Sequence, residues 1–239
     1  STRINDYFPP SRFQHWPTFG GTMEPGRIEN NYHLFEAGGR EWIVIGLEFG
    51  PRDSVLEWAD GLLSAYSDRT AIVFTHAYLY SDSTRYDWAA KGMTQANNPH
   101  KFNVPGGVND GEEMWNKLLR KHANVFMAMN GHIPNDGLGF QVSKGDHGNL
   151  VNEMAVDYQR LPIGGGAWTR LLEFLPDGKT VQARTYSPFY EEYETSEDNQ
   201  FVMTLETPPR TSRDVGETPQ QTRGRSFNPR RQRPRLLMR

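Results

Sequence analysis

The sequence predicts an α/β fold with a second sheet packed on the first, and three observations carry that expectation. Two short apolar runs, residues 70–74 and 125–129, are rich in β-branched and aromatic side chains and read as buried strands. Each ends in a histidine motif, Thr75-His76 after the first and Asn130-Gly131-His132 after the second. An amphipathic stretch lies between the strand-like run that begins at Arg40 and the run at 70–74, which is the order of a crossover unit with parallel strands. From Leu138 onward the pattern is nearly all strand and turn.

Residues 1–30 are rich in Pro, Gly and aromatics, including Tyr7, Phe8, Phe13 and Trp16. They read as irregular chain lying over a core through its rings. Residues 31–37 and 40–49 flank Gly38-Gly39 and form a hairpin signal, with the second run apolar enough for a central strand. Pro51 breaks the chain, and Asp53 or Ser54 can cap a helix to Tyr66 that turns Val55, Leu56, Ala59, Leu62 and Leu63 inward. Residues 77–110 form a long insertion whose aromatics favour an ordered loop near a site. A second helix is expected over 111–122, with Met114, Trp115, Leu118 and Leu119 inward. Strands follow at 140–143, 150–158, 169–174, 181–186 and 201–205, expected to build the second sheet, with Pro176-Asp177-Gly178-Lys179 as a turn.

Composition narrows the chemistry. Cysteine is absent, so any metal must take nitrogen and oxygen ligands. No run of eighteen apolar residues occurs, so no membrane span is expected. Ser1-Thr2-Arg3-Ile4-Asn5-Asp6 lacks an apolar h-region and does not read as a signal peptide, which leaves cytoplasmic and exported placements both compatible. The net charge of -3 is uneven: residues 207–239 hold nine Arg against Asp214 and Glu217, a balance of +7, so the body carries -10. That tail, with five prolines and few apolar residues, is expected to be disordered. It lacks interleaved aromatics, so nucleic acid is not the expected partner. The sequence sets no oligomeric state.

A strand that ends in His presents an imidazole at the carboxyl edge of a sheet, where open α/β sheets bind ligands. Two such edges can aim His76 and His132 at one point, and imidazole is the commonest metal-binding side chain. Gly131 is expected to provide the sharp turn that points His132 back over the sheet.

These motifs resemble the second half of the calcineurin-like metallophosphoesterases. The resemblance covers roughly residues 7–206 and rests on Thr75-His76-Ala77-Tyr78-Leu79 and Asn130-Gly131-His132. It is extended by Leu47-Glu48-Phe49-Gly50-Pro51-Arg52-Asp53, Asn109-Asp110-Gly111, Asp157-Tyr158-Gln159, Gly164-Gly165-Gly166 and Thr185-Tyr186-Ser187-Pro188, in an order similar to a bacterial branch of that family. The resemblance implies a four-layer αββα sandwich of mixed sheets. It also implies two divalent ions (Mn, Fe or Zn) that activate a water to attack a phosphate ester. His76 and His132 would ligate one ion of the pair, and Asn130, Tyr78 and Asp157 would lie against substrate.

Two departures qualify what the resemblance implies. The family pattern Gly-His-x-His reads here Gly131-His132-Ile133-Pro134, and proline cannot ligate through its side chain. The Asp-x-His, Gly-Asp-x-x-Asp and Gly-Asn-His-Asp motifs of the family's first half do not occur before Thr75. The expectation is therefore an incomplete metallophosphoesterase fold over residues 1–206: a portion of a hydrolase that binds at most one ion weakly and turns over little alone, with no catalytic residue of its own. The alternative is a non-catalytic module on a relic sandwich, contacting carbohydrate or protein through its aromatic loops at 78–88 and 8–19.

Overall fold

The computed structural model describes residues 3–133 and 135–205, all within one compact unit. The expected tail at 207–239 and Pro134 lie outside the described residues.

The chain is α/β. A seven-stranded mixed sheet contains β1 (Phe19–Thr22), β2 (Asn31–Ala37), β3 (Arg40–Gly46), β4 (Thr70–Thr75), β5 (Val125–Asn130), β6 (Leu138–Lys144) and β7 (Leu150–Val156), in the order β1-β2-β3-β4-β5-β7-β6. Strands β3, β4, β5 and β7 run parallel, and the flanking pairs are antiparallel. The second sheet is antiparallel: β9 (Thr180–Ser187) is central, with β8 (Thr169–Phe174) on one side and β10 (Glu192–Glu194) and β11 (Phe201–Thr204) on the other.

The two-residue period of the strands explains the layering. In β3, Ile43 and Ile45 face the helix Asp53–Ala65, where they meet Val55, Leu56, Ala59 and Leu63. Trp42 points the other way, joining Ile72, Phe126 and Met154 against Val181, Ala183 and Met203 of the second sheet. Helices thus cover one face of the large sheet and the small sheet covers the other. The β2–β3 hairpin turns on Gly38 and Gly39 at φ 61 and 70, the left-handed pair that a two-residue turn requires.

Several expectations are corrected. The strands β6 and β7 do not belong to the second sheet; β7 lies parallel beside β5 and carries β6 into the first. Phe19–Thr22 is a strand within the stretch expected to be irregular. The second helix is shorter, Gly111–Lys117, because Leu118 leaves helical geometry at φ -130 and the chain continues as a 3-10 turn. Asp53 is not a cap: the N-terminus of its helix has no side-chain cap, and Asp53 instead accepts from Asn109 (3.0 Å) and Lys117 (2.9 Å). Among the described residues no helix is long and apolar enough to cross a membrane.

Candidate functional site

Strands β4 and β5 are parallel neighbours, and Thr75 pairs directly with Asn130 at their carboxyl ends. His76 follows the first by one residue and His132 the second by two, so the sheet itself brings the imidazoles together. Their ring centroids are 4.4 Å apart at an interplanar angle of 25°. Both residues are exposed to solvent. It is His132 that takes the left-handed backbone, at φ 51, while Gly131 does not. The turn expected of the glycine is therefore made by the histidine, a conformation costly for a side chain with a Cβ and of the kind found at functional sites.

Phe49 packs edge-on against His76 with centroids 5.7 Å apart. Loss of water contact lowers the pKa of His76 below the ordinary imidazole value; the neighbouring His132 adds to this and Asp157 opposes it. The shift favours the neutral ring, the form that can donate a lone pair to a metal.

Asp157 stands just beyond β7, its N–H donating to Gly137 O at 2.7 Å. Its carboxylate accepts from the backbone N–H and the amide of Gln159, both at 2.9 Å. The same amide donates to His132 Nδ1 at 3.3 Å. Gln159 therefore links the carboxylate to the imidazole pair. An ion can take that Nδ1 lone pair only by displacing the amide, or the ring can adopt its other tautomer and offer Nε2.

Two of the expected substrate contacts are placed otherwise. Asn130 is 6% exposed, and its amide is spent on backbone: it accepts from Leu79 N (2.9 Å) and donates to Leu79 O (3.0 Å) and Gly131 O (3.1 Å). It clamps the loop after His76 onto the end of β5, so it positions the imidazoles rather than touching a ligand. Asn130→Ala leaves a buried N–H and carbonyl of Leu79 without partners and should cost about 1–3 kcal/mol, read from the urea unfolding midpoint. Tyr78 is wholly buried, its hydroxyl donating to Glu153 at 2.8 Å, so it cannot meet substrate.

No family model matches the chain. Over 220 residues it is 27% identical to the uncharacterized protein YvnB of Bacillus subtilis (strain 168). The aligned part is 85% of this chain and 15% of that protein, so the chain spans a small fraction of the relative's length.

A cleft of ≈ 1030 Å³ opens beside the imidazole pair. No motif in the sequence assigns a role to its charged floor. Glu48 accepts from Arg52 Nε at 2.7 Å and from Asn30 Nδ2 at 2.9 Å. Burial pushes the Glu48 carboxyl up, but those hydrogen bonds outweigh it and hold the pKa below the usual carboxylate value. The Glu48/Arg52 spacing of four residues was the available signal.

Among the described residues, His100, Asp110 and Glu113 form a group of three that could hold a metal ion. Their lone pairs are already engaged. Asp110 caps the Gly111–Lys117 helix by accepting from Glu113 N (3.1 Å) and also accepts from Trp88 N (2.6 Å). Glu113 accepts from Asp110 N (2.9 Å) and meets His100 Nε2 at 2.7 Å. An ion there would have to break the capping box. Among the described residues, His76, His132 and Asp157 do not close into a comparably compact set.

Proposed function

We propose that this chain is the carboxy-terminal part of a metal-dependent phosphoesterase of the calcineurin-like kind. The observation that carries the reading is the convergence of two solvent-reachable imidazoles, 4.4 Å apart, from the carboxyl ends of adjacent parallel strands. The donor set fits half of a metal site. Two imidazoles and a carboxylate held through Gln159 are chemically suited to Mn, Fe or Zn, and catalytic sites of this kind need at least three protein ligands. When bound, a divalent ion supplies Lewis acidity toward a phosphoryl oxygen and a readily deprotonated water. The protein's own residues hold the geometry: Asn130 fixes the loop after His76, Gln159 orients His132, and the cleft receives the ester.

The same reading completes the fold as a four-layer αββα sandwich. Phe74 shares a sheet face with the buried Ile72 yet is 40% exposed, so the small sheet stops short of covering it. On the outer side of the small sheet Leu171 and Val202 remain 43% and 63% exposed. Strands and helices carrying the Asp-x-His, Gly-Asp-x-x-Asp and Gly-Asn-His-Asp motifs would cover both surfaces.

Titration of Mn²⁺ into residues 1–239 should reveal at most one weak site, lost in His76→Ala and in His132→Ala. Tight binding of two ions would overturn the reading of a partial site, and weak binding untouched by both substitutions would remove the imidazole pair from it.

A second reading, a non-catalytic binding module, is favoured by the exposure of Tyr7, Phe8 and Trp16 at 61%, 51% and 53%. In the other loop expected to serve it, Tyr78 and Tyr86 are wholly buried, which leaves Tyr80 and Trp88 partly exposed. Carbohydrate or protein binding indifferent to chelator would support this module.

A further inference from the structure

The cleft beside the imidazoles has a chemical bias that points to the alcohol half of the ester. Its two guanidinium groups are both neutralised. Arg27 pairs with Glu24 (3.2 Å) and Glu29 (3.0 Å), and Arg52 with Glu48 (2.7 Å) and Glu24 (2.9 Å). A polyanionic substrate would have to break these pairs to find a cation. Between the charges and the imidazoles runs an aromatic path. His76 meets Phe49 edge-on at 5.7 Å, and Phe49 meets Phe102 edge-on at 5.3 Å. Phe102 is 48% exposed and lines the cleft with Phe49, Leu47, Val104 and Pro105.

The mount of Phe102 is firm. It follows the 3-10 turn Pro99–Lys101, which is capped by the wholly buried Asn98 accepting from His100 N at 3.0 Å, and Phe102 N donates to Pro99 O at 3.0 Å. Gly50, at φ 54, lets this turn close on the end of β3, because a Cβ there would collide with Pro99. The fold thus holds a half-exposed phenyl ring over a cleft whose size suits a ligand of drug-like volume.

We propose that Phe102 and Phe49 seat the alcohol portion of the phosphate ester, and that this portion is aromatic or comparably flat and apolar. The inference rests on the phosphoesterase reading, which places the phosphoryl group at His76 and His132. Stacked or edge-on aromatic contact adds discrimination beyond buried area, enough for roughly tenfold in affinity.

The test is equilibrium binding to residues 1–239 in excess Mn²⁺, with 1-naphthyl phosphate, glycerol 2-phosphate and 1-naphthol as probes. Naphthyl phosphate should bind about tenfold more tightly than glycerol 2-phosphate. Phe102→Ala should erase most of that ratio and Phe102→Tyr should keep it; a half-exposed position tolerates both. Equal binding of the two phosphates, or an unchanged ratio in Phe102→Ala, overturns the proposal while leaving the phosphoesterase reading in place. Naphthol binding that matches naphthyl phosphate, depends on Phe102 and ignores His132→Ala retains the aromatic seat and removes the phosphoesterase reading instead.

Discussion

In a phosphoesterase that contains this chain, His132→Ala should lower manganese-dependent hydrolysis of an aryl phosphate by at least about 100-fold, since loss even of a residue that only orients a metal ligand costs about 10–100-fold. The expectation follows from geometry. The ring centroids of His132 and His76 stand 4.4 Å apart at the ends of adjacent parallel strands. His132 also occupies a left-handed backbone conformation at φ 51, which alanine tolerates poorly. His132→Asn separates the two effects, because asparagine accepts that backbone more readily while changing the ligand. Both variants should lose rate together with bound metal measured by elemental analysis, and His76→Ala should match them. Retention of wild-type rate and metal content by His132→Ala would remove the imidazole pair from the chemistry.

The second large effect concerns stability. Glu153 in β7 is wholly buried and accepts from Arg85 Nε and Nη2, each at 2.7 Å, from Tyr78 at 2.8 Å and from Gln141 at 2.9 Å. Arg85 also donates to Ser143 (2.7 Å), pairs with Glu112 (3.0 Å) and lies 4.0 Å over the ring of Trp115. This one guanidinium ties the loop after His76 to β6, β7 and the Gly111–Lys117 helix. Removing a single partner of a buried pair leaves an uncompensated charge and costs about 3–5 kcal/mol. Arg85→Ala should therefore lower the urea midpoint steeply, and Arg85→Met combined with Glu153→Leu should recover much of the loss. Single and double variants of equal stability would show that the network is not a structural staple.

The legible parts of the fold were those governed by local periodicity. The hairpin at Gly38-Gly39, the apolar face of the helix Asp53–Ala65 and the two His-terminated strands all follow from spacing within a dozen residues. What escaped was decided at long range. Nothing local distinguishes β7 as a partner of β5 from a member of the second sheet; that choice is made by which faces bury Met154 and Val151. Tyr78 reads as a site residue because it lies close to His76 in sequence, yet two residues along a turning chain send its ring into the core, where Glu153 and Arg85 await it from 75 and 7 residues away. Phe102 belongs to no motif, and Gln159 closes the Asp157-Tyr158-Gln159 motif with nothing local to assign it a role; only the folded chain places both by the imidazoles.

Since the two histidines are borne by strands already hydrogen-bonded to each other, their separation is dictated by the regular interval between neighbouring strands, about 4.8 Å. The sheet works as a caliper. Exposed stretches between the two jaws can therefore change without altering the gap, so a loop graft within residues 81–109 is a route to new selectivity, provided that Arg85 and the buried Tyr86, Gln95, Asn98 and Asn109 travel with it.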